Sequence, residues 1–251
     1  MPLSPPRPPA HGWRDYLRLT RTATYGFVSA LPLLVLYEVM IFVANRGTVY
    51  QVRVGAEVWI KHLLAMVGLT GLAALGVLVV AGGIVVVLLE RRQHIPLRPR
   101  YLAALIAESG VYAILIAWLV ARLVGLIFSL APDGSLPDAP GTWTLLALSI
   151  GAGLYEELFF RVLLVGGLFL LFRRLGGRPV PAYAGAALLG ALVFSAVHYV
   201  GPLGDPFTLG SFTFRFLFGL ALNAVFLLRG FGVAAWTHAL YDVLVVAVFA
   251  G

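Results

Sequence analysis

The chain has 251 residues, of which 61% are hydrophobic and 12% are charged, and its net charge is +7. Soluble domains contain roughly 45–50% apolar and about 25% charged residues, so this composition excludes a water-soluble globular protein. The sequence contains no cysteine, which excludes a disulfide framework, a thiol nucleophile and a zinc site with cysteine ligands.

The first 23 residues are predicted to form a disordered, basic, cytoplasmic tail, because they are rich in proline and arginine. Residues 24–44 then form an apolar stretch that exceeds the roughly 7–15 residues of a signal-peptide core. This stretch is therefore interpreted as a first membrane span that the protein retains.

Further apolar stretches are long enough to cross about 30 Å of hydrocarbon as helices. The predicted spans are 24–44, 63–89, 101–130, 142–172, 182–200, 212–228 and 232–250. Residues 47–62 carry Arg53, Glu57, Trp59 and Lys61 and are predicted to form an amphipathic helix along the interface. The predicted fold class is an all-α polytopic bundle of about seven spans with an intramembrane polar cavity.

This pattern divides the chain into the tail 1–23, a unit of three spans over 24–141 and a core of four spans over 142–251. With a cytoplasmic N-terminus, twelve basic residues fall in inner segments and three in outer segments. The positive-inside rule therefore predicts the N-terminus inside and the C-terminus outside. The arginines serve as topology determinants in this reading, and nucleic acid is not expected as a partner. A prokaryotic plasma membrane fits this pattern.

The fourth predicted span contains two adjacent carboxylates, Glu156 and Glu157, followed by Arg161. A charged side chain at a helix centre costs about 2.5–3.5 kcal/mol on insertion scales, so such a group requires a functional or structural reason. Glu157 and Arg161 are four residues apart on one helix face and are predicted to pair. Glu156 then remains as the unmatched carboxylate, about 100° around the helix.

The fifth predicted span ends with Phe194 and His198 on one face, and the seventh carries His238 and Asp242 on one face. A single intramembrane histidine is more often a satisfied structural group. Two histidines, one aspartate and an unmatched glutamate from three spans supply the groups that activate water: a carboxylate base and imidazoles that share or donate protons.

Other arrangements of intramembrane proteases are absent from the sequence. No H-E-x-x-H motif exists, which excludes the site-2 zinc protease pattern. The Gly-x-Gly-Asp motif of presenilin-type aspartyl proteases and the Gly-x-Ser-Gly motif of rhomboid-type serine proteases are also missing.

The remaining motifs are Glu-Glu-x-x-x-Arg at 156–161, Phe-x-x-x-His at 194–198 and His-x-x-x-Asp at 238–242. In this order, with one span between the last two, they resemble the three motifs of the CPBP family. This is the CAAX protease and bacteriocin-processing (Abi) group, which includes the type II CAAX prenyl endopeptidases. The resemblance covers about 100 residues, from Trp143 to Phe249; the first three spans match only in being apolar.

The resemblance implies an intramembrane endopeptidase that cuts a membrane-tethered protein or peptide near its C-terminus or leader. It assigns Glu156 as the base that activates water and His198 as a residue that holds this water. His238 and the residue at position 242 are expected to steady the oxyanion. Glu157, Arg161 and Phe194 are expected to support the site.

One position departs from the family pattern, because the prenyl endopeptidases usually have asparagine where this chain has Asp242. A carboxylate donates to an oxyanion only when it is protonated, so Asp242 is expected either to orient His238 or to bind a metal. Glu156, His198, His238 and Asp242 together offer nitrogen and oxygen ligands that suit zinc. The spacing does not choose between a metal site and a metal-free glutamate peptidase.

Two other functions remain open at this level. A non-enzymatic transporter or bacteriocin-immunity-type protein would use the same buried groups for proton or ligand binding, and a sorting peptidase would act on C-terminal anchors of exported proteins. Glu108 is expected to pair with a neighbouring arginine and Arg215 to anchor the sixth span externally. Glu38 and Arg122 are expected to snorkel or to line a vestibule.

Overall fold

The structure, a computed structural model, describes residues 12–47, 51–128, 141–201 and 204–249, and these residues contain helices and no strand. The helices are α1 (Trp13–Thr20), α2 (Ala23–Ala44), α3 (Gly55–Ala65), α4 (Gly71–Glu90), α5 (Pro99–Phe128), α6 (Thr142–Glu156), a π-helical segment (Glu157–Val165), α7 (Gly166–Arg174), α8 (Pro179–Val197), α9 (Leu209–Arg229) and α10 (Phe231–Phe249).

Six helices of the described chain are each long and apolar enough to cross a membrane: α2, α4, α5, α8, α9 and α10. The fourth predicted span, residues 142–172, corresponds to α6, the π-helical segment and α7, which follow one another without a break. The all-α polytopic fold class predicted from hydropathy is thus confirmed.

The N-terminal segment corrects the prediction of a disordered tail over 1–23, since residues 13–20 form α1. Tyr16 and Leu19 are buried against Tyr25 and Tyr101, so one face of α1 belongs to the packed structure. The helix forms because its apolar residues recur at helical spacing and pack against a partner surface. The proline-rich composition of this part of the sequence conceals that pattern. Residues 1–11 of the predicted tail lie outside the described residues.

An arginine from α9 attaches α1 to the bundle. Arg229 makes a two-pronged ion pair with Glu108 of α5, at 2.6 Å from Nε and 2.9 Å from Nη2. The same guanidinium donates to the Leu17 carbonyl at 3.1 Å and to the Thr20 hydroxyl at 2.8 Å. The predicted pairing of Glu108 with an arginine is confirmed, and it links α1, α5 and α9.

The second predicted span starts later than the hydropathy suggests. Residues 63–65 end α3, and α4 begins only at Gly71, because Gly68 and Gly71 adopt positive φ values of 84° and 56° that break the helix. The helix predicted within 47–62 is present as α3; residues 48–50 lie outside the described chain.

Glu57 of α3 has no exposed side-chain surface, and its carboxylate accepts hydrogen bonds from three donors. Arg53 donates at 2.6 Å, and Lys61 and Tyr37 donate as well. Arg53 also lies 3.4 Å from Glu38, whose side chain is one-quarter exposed. One face of α3 is therefore buried against the bundle, and its charges are paired with each other and with α2.

Helices α6 and α10 lie at the centre of the bundle, and α10 contacts α2, α5, α6 and α9. They lie close together at Gly153, where a Cβ atom would lie 2.5 Å from the Cβ of Ala239 and 2.6 Å from the carbonyl oxygen of Ala235. Small residues at such a crossing allow two membrane helices to pack backbone against backbone. This contact brings the carboxylates at the end of α6 beside the polar residues of α10.

Candidate active site

A change of helix type marks the position of the two adjacent carboxylates. Glu156 is the last residue of α6, and Glu157 is the first residue of the π-helical segment, which also contains Arg161. The fourth predicted span, residues 142–172, therefore changes helix type in its interior. π-Helical turns are rare and occur mostly at functional sites, because the wider turn shifts the side chains that follow to a different face.

Glu157 is fully buried and connects an arginine and a histidine of the site. Its Oε1 atom lies 2.9 Å from Nη1 of Arg161 and 2.7 Å from Nδ1 of His238. The predicted pairing of Glu157 with Arg161 is confirmed. The ion pair lacks the alignment of a hydrogen bond, and the Arg161 guanidinium also lies 4.6 Å from the centre of the Phe194 ring, as a cation–π contact.

The other nitrogen of His238 faces two further carboxylates. Nε2 lies 3.4 Å from Oδ2 of Asp242 and 4.0 Å from Oε2 of Glu156. The Nδ1–H group donates to Glu157, so Glu157 sets the orientation of the ring. Glu157 therefore holds the Nδ1 edge of His238, and Asp242 lies at the Nε2 edge of the imidazole.

His198 reaches this cluster through Phe194. Its Nδ1 atom lies 2.7 Å from the Phe194 carbonyl oxygen, one helical turn earlier, and its ring centre lies 5.0 Å from that of Phe194. The same Phe194 ring lies 6.1 Å from the ring of His238. Phe194 is thus the common neighbour of both imidazoles and of Arg161.

The segment after α8 is held by Arg215 of α9. The backbone N–H of Asp205 donates to the His198 carbonyl oxygen at 2.8 Å, and Arg215 pairs with the Asp205 carboxylate. Arg215 also donates to the Tyr199 hydroxyl at 2.7 Å. Arg215, which is predicted to anchor the sixth span, therefore fixes the segment that carries His198.

Exposure divides the site into an open side and a closed side. The side chains of Glu156 and Asp242 are 16% and 28% exposed, whereas those of Glu157, Arg161 and His238 are 0%, 1% and 3% exposed. Glu156 and Asp242 are therefore the accessible carboxylates of the site. Glu157 and Arg161 lie behind His238.

The sixth predicted span supplies a site residue that nothing in the sequence predicts. Phe218 of α9 lies 5.1 Å from the ring of His238 and 4.3 Å from that of Tyr241. The ring centre of Trp59 in α3 lies 5.3 Å from that of Phe159 in the π-helical segment. The sequence does not distinguish an aromatic residue that lines a site from one that contacts lipid, because both occur in apolar spans.

Within the described residues, no group of three or more histidine, aspartate or glutamate side chains is arranged to hold a metal ion.

The fold and the site together define a polytopic helical membrane protein with a carboxylate–imidazole cluster between the π-helical continuation of α6 and α10, and Phe194 of α8 links this cluster to His198. Residues 138–244 match the family model described as "Type II CAAX prenyl endopeptidase Rce1-like". The matched segment contains all seven predicted site residues and confirms the resemblance seen in the sequence, so this part of the chain is similar to the CAAX prenyl endopeptidases. Comparisons with curated proteins and with solved structures found no match.

Proposed function

We propose that this protein is an intramembrane endopeptidase that hydrolyses a peptide bond in a membrane-associated protein or peptide, as in CAAX-type, leader or anchor processing. The observation that carries the proposal is the arrangement around His238. Its Nδ1 is held by buried Glu157, and its Nε2 faces the partly exposed Glu156 and Asp242. The family match supports a protease of this kind.

Glu156 is the base in this mechanism. Its carboxylate takes a proton from a water molecule at the open side of the site, and the water oxygen forms a bond to the carbonyl carbon of the substrate. The same proton then passes to the amide nitrogen as the carbon–nitrogen bond breaks. Glu156 suits this role because its side chain is accessible and lacks the arginine partner that Glu157 has.

His238 stabilises the oxyanion that forms during the attack. In its cationic form it donates from Nε2, while the Nδ1–H bond to Glu157 prevents the ring from turning. Asp242, at 3.4 Å from Nε2, keeps this edge of the ring directed toward the open side. His198 holds the water from the opposite wall, positioned by the Phe194 carbonyl and by the segment that Arg215 fixes.

Water activation in this scheme requires no metal ion. Among the described residues, no group of three or more histidine, aspartate or glutamate side chains is arranged to hold a metal ion. We expect proteolysis to continue after prolonged treatment with EDTA and 1,10-phenanthroline. Loss of activity on chelation, with recovery on adding zinc, would contradict the metal-free scheme and assign Glu156, His198, His238 and Asp242 as ligands.

The function is tested by comparing the termini of membrane proteins from cells with the wild-type chain and cells with the Glu156→Gln variant. We expect processed termini to disappear in the variant, and the purified wild-type protein to regenerate them in proteoliposomes. Glu156→Gln, His198→Ala and His238→Ala should each abolish this cleavage.

The matched control is His62→Ala, which removes an exposed histidine of α3 and should leave cleavage unchanged. All variants should insert and fold as the wild type does. Unchanged termini in the Glu156→Gln strain would favour a transporter or immunity-type protein. Full activity of all three site variants on a verified substrate would refute the site.

A further inference from the structure

Two adjoining cavities lie at the end of the bundle that carries α1. One has a volume of about 900 Å³ and is bounded by α1, the α1–α2 connection, the end of α4 with the segment after it, and the end of α9. The other, about 470 Å³, extends between α2 and α4. They share the wall formed by Glu90, Gln93, His94 and Ile95, so they form one continuous cleft.

The first cavity is basic. Arg18 and Arg21 line it, and His94 and Gln93 are exposed on its shared wall. Arg91 follows on the neighbouring cavity. Among the described residues, Arg21, Arg91 and His94 have no ion-pair partner, so their polar groups remain free to bind a ligand.

The acidic residue of this cleft, Glu90, offsets only one of these positive charges and does not pair with Arg21 or Arg91. Its Oε1 accepts from the backbone N–H of Ala23 at 2.8 Å, and its Oε2 accepts from the N–H and hydroxyl of Thr24 at 2.9 Å and 2.6 Å. Both oxygens are thus occupied by the first turn of α2, where a negative charge is favoured. The cleft therefore attracts an anion.

The second cavity is largely apolar and faces the side of α4 that the bundle leaves open. Phe27, Gly83, Val86 and Val87 line it, and Val87 is 66% exposed. The absence of a side chain at Gly83 keeps the groove beside Phe27 open. Trp13 of α1 is 67% exposed, as is typical of aromatic residues at the level of lipid headgroups.

We propose that this cleft binds one anionic phospholipid of the surrounding bilayer. The phosphate lies among Arg21, Arg91 and His94, and an acyl chain follows Phe27 and Gly83 along α4. A basic pocket that continues into an apolar groove matches such a lipid at both ends, whereas a soluble phosphate compound would use only the basic part. This lipid would contact both α1 and α4. These two helices are otherwise connected mainly through α2, to which Glu90 is hydrogen-bonded.

The test is native mass spectrometry of the full-length protein, delipidated in detergent and then mixed with phosphatidylglycerol or phosphatidylcholine of identical acyl chains. We expect one retained phosphatidylglycerol, with a preference of about tenfold or more over phosphatidylcholine. Arg21→Gln/Arg91→Gln should abolish the preference. The control Arg174→Gln/Arg178→Gln removes the same charge at exposed positions that line neither cavity and should retain it.

A second pair of variants tests the groove without changing charge. Gly83→Leu should reduce phosphatidylglycerol retention, whereas Gly76→Leu, on α4 but outside the cavities, should not. Equal loss in both arginine pairs, equal retention of the two lipids, or displacement by glycerol phosphate would each overturn the proposal. The last result would indicate a site for soluble phosphates. None of these readouts requires peptidase activity, so they are independent of the proposed function.

Discussion

Glu157 is fully buried, and its Oε1 atom lies within 3 Å of both Arg161 and His238. Burying a carboxylate costs free energy unless cations and hydrogen-bond donors surround it. Removing one member of a buried ion pair leaves the other as an uncompensated buried charge. The two partners therefore have different importance. Arg161 compensates the charge of Glu157, while His238 uses Glu157 to fix its ring.

Arg161→Met should destabilise the protein by about 3–5 kcal/mol, because Glu157 loses its compensating cation. The double variant Glu157→Gln/Arg161→Met removes both charges and should recover most of that stability, measured by unfolding in mixed micelles. Its kcat should stay about 10–100-fold below that of the wild type, because the carboxylate that orients His238 is missing. Recovery of both stability and kcat in the double variant would show that Glu157 has no positioning role.

At the scale of elements, the crossing of α6 and α10 assembles the site. Gly153 lies one helical turn before Glu156 and Glu157, and its partner Ala239 follows His238 directly. The two helices are close enough for Glu157 to reach His238 only because neither presents a large side chain at the crossing. The π-helical segment that begins at Glu157 then turns Arg161 toward the same carboxylate.

Gly153→Ala should therefore destabilise the protein and lower its activity, because the added Cβ atom would lie within 2.6 Å of α10 backbone atoms. A cost of about 1–3 kcal/mol is expected from such overpacking. Gly167→Ala is the matched control within α7, where an added Cβ meets no atom within 4 Å. It should be neutral or stabilising by up to about 1 kcal/mol, since alanine is the better helix former. Equal thermal stabilities of the two variants would contradict the close crossing.

At the scale of the whole molecule, the basic residues are distributed unevenly between the two ends of the bundle. One end holds α1, the segment after α4 and the α7–α8 connection, which together carry most of the arginines. The other holds the α2–α3 connection with Arg46 and Arg53. We expect the arginine-rich end to face the cytoplasm.

Single cysteines test this orientation without interference, because the chain has no cysteine of its own. In intact cells, a membrane-impermeant thiol reagent should label Arg46→Cys, whereas Arg174→Cys should react only after the membrane is opened. Both positions are exposed, so accessibility to the reagent is not limited by burial. The opposite labelling pattern would reverse the predicted topology.

Much of this architecture follows from local sequence patterns. The length of each apolar stretch predicts a span, and the four-residue spacing of Glu157 and Arg161 predicts their ion pair. Both features can be predicted because each depends on the geometry of a single helix. The same logic fails at residues 13–20, where proline-rich and basic surroundings conceal a helix that Tyr16 and Leu19 stabilise through contacts with α2 and α5.

The arrangement around His238 depends on contacts between helices that no local pattern encodes. Adjacent glutamates are equivalent in sequence, and the crossing at Gly153 together with the change to a π-helix selects Glu157 for Nδ1 and leaves Glu156 facing Nε2. Phe218 becomes part of the site for the same reason, since α9 packs against α10 there. Residue type and spacing specify which charges enter the membrane, whereas the packing of the helices specifies which charges meet.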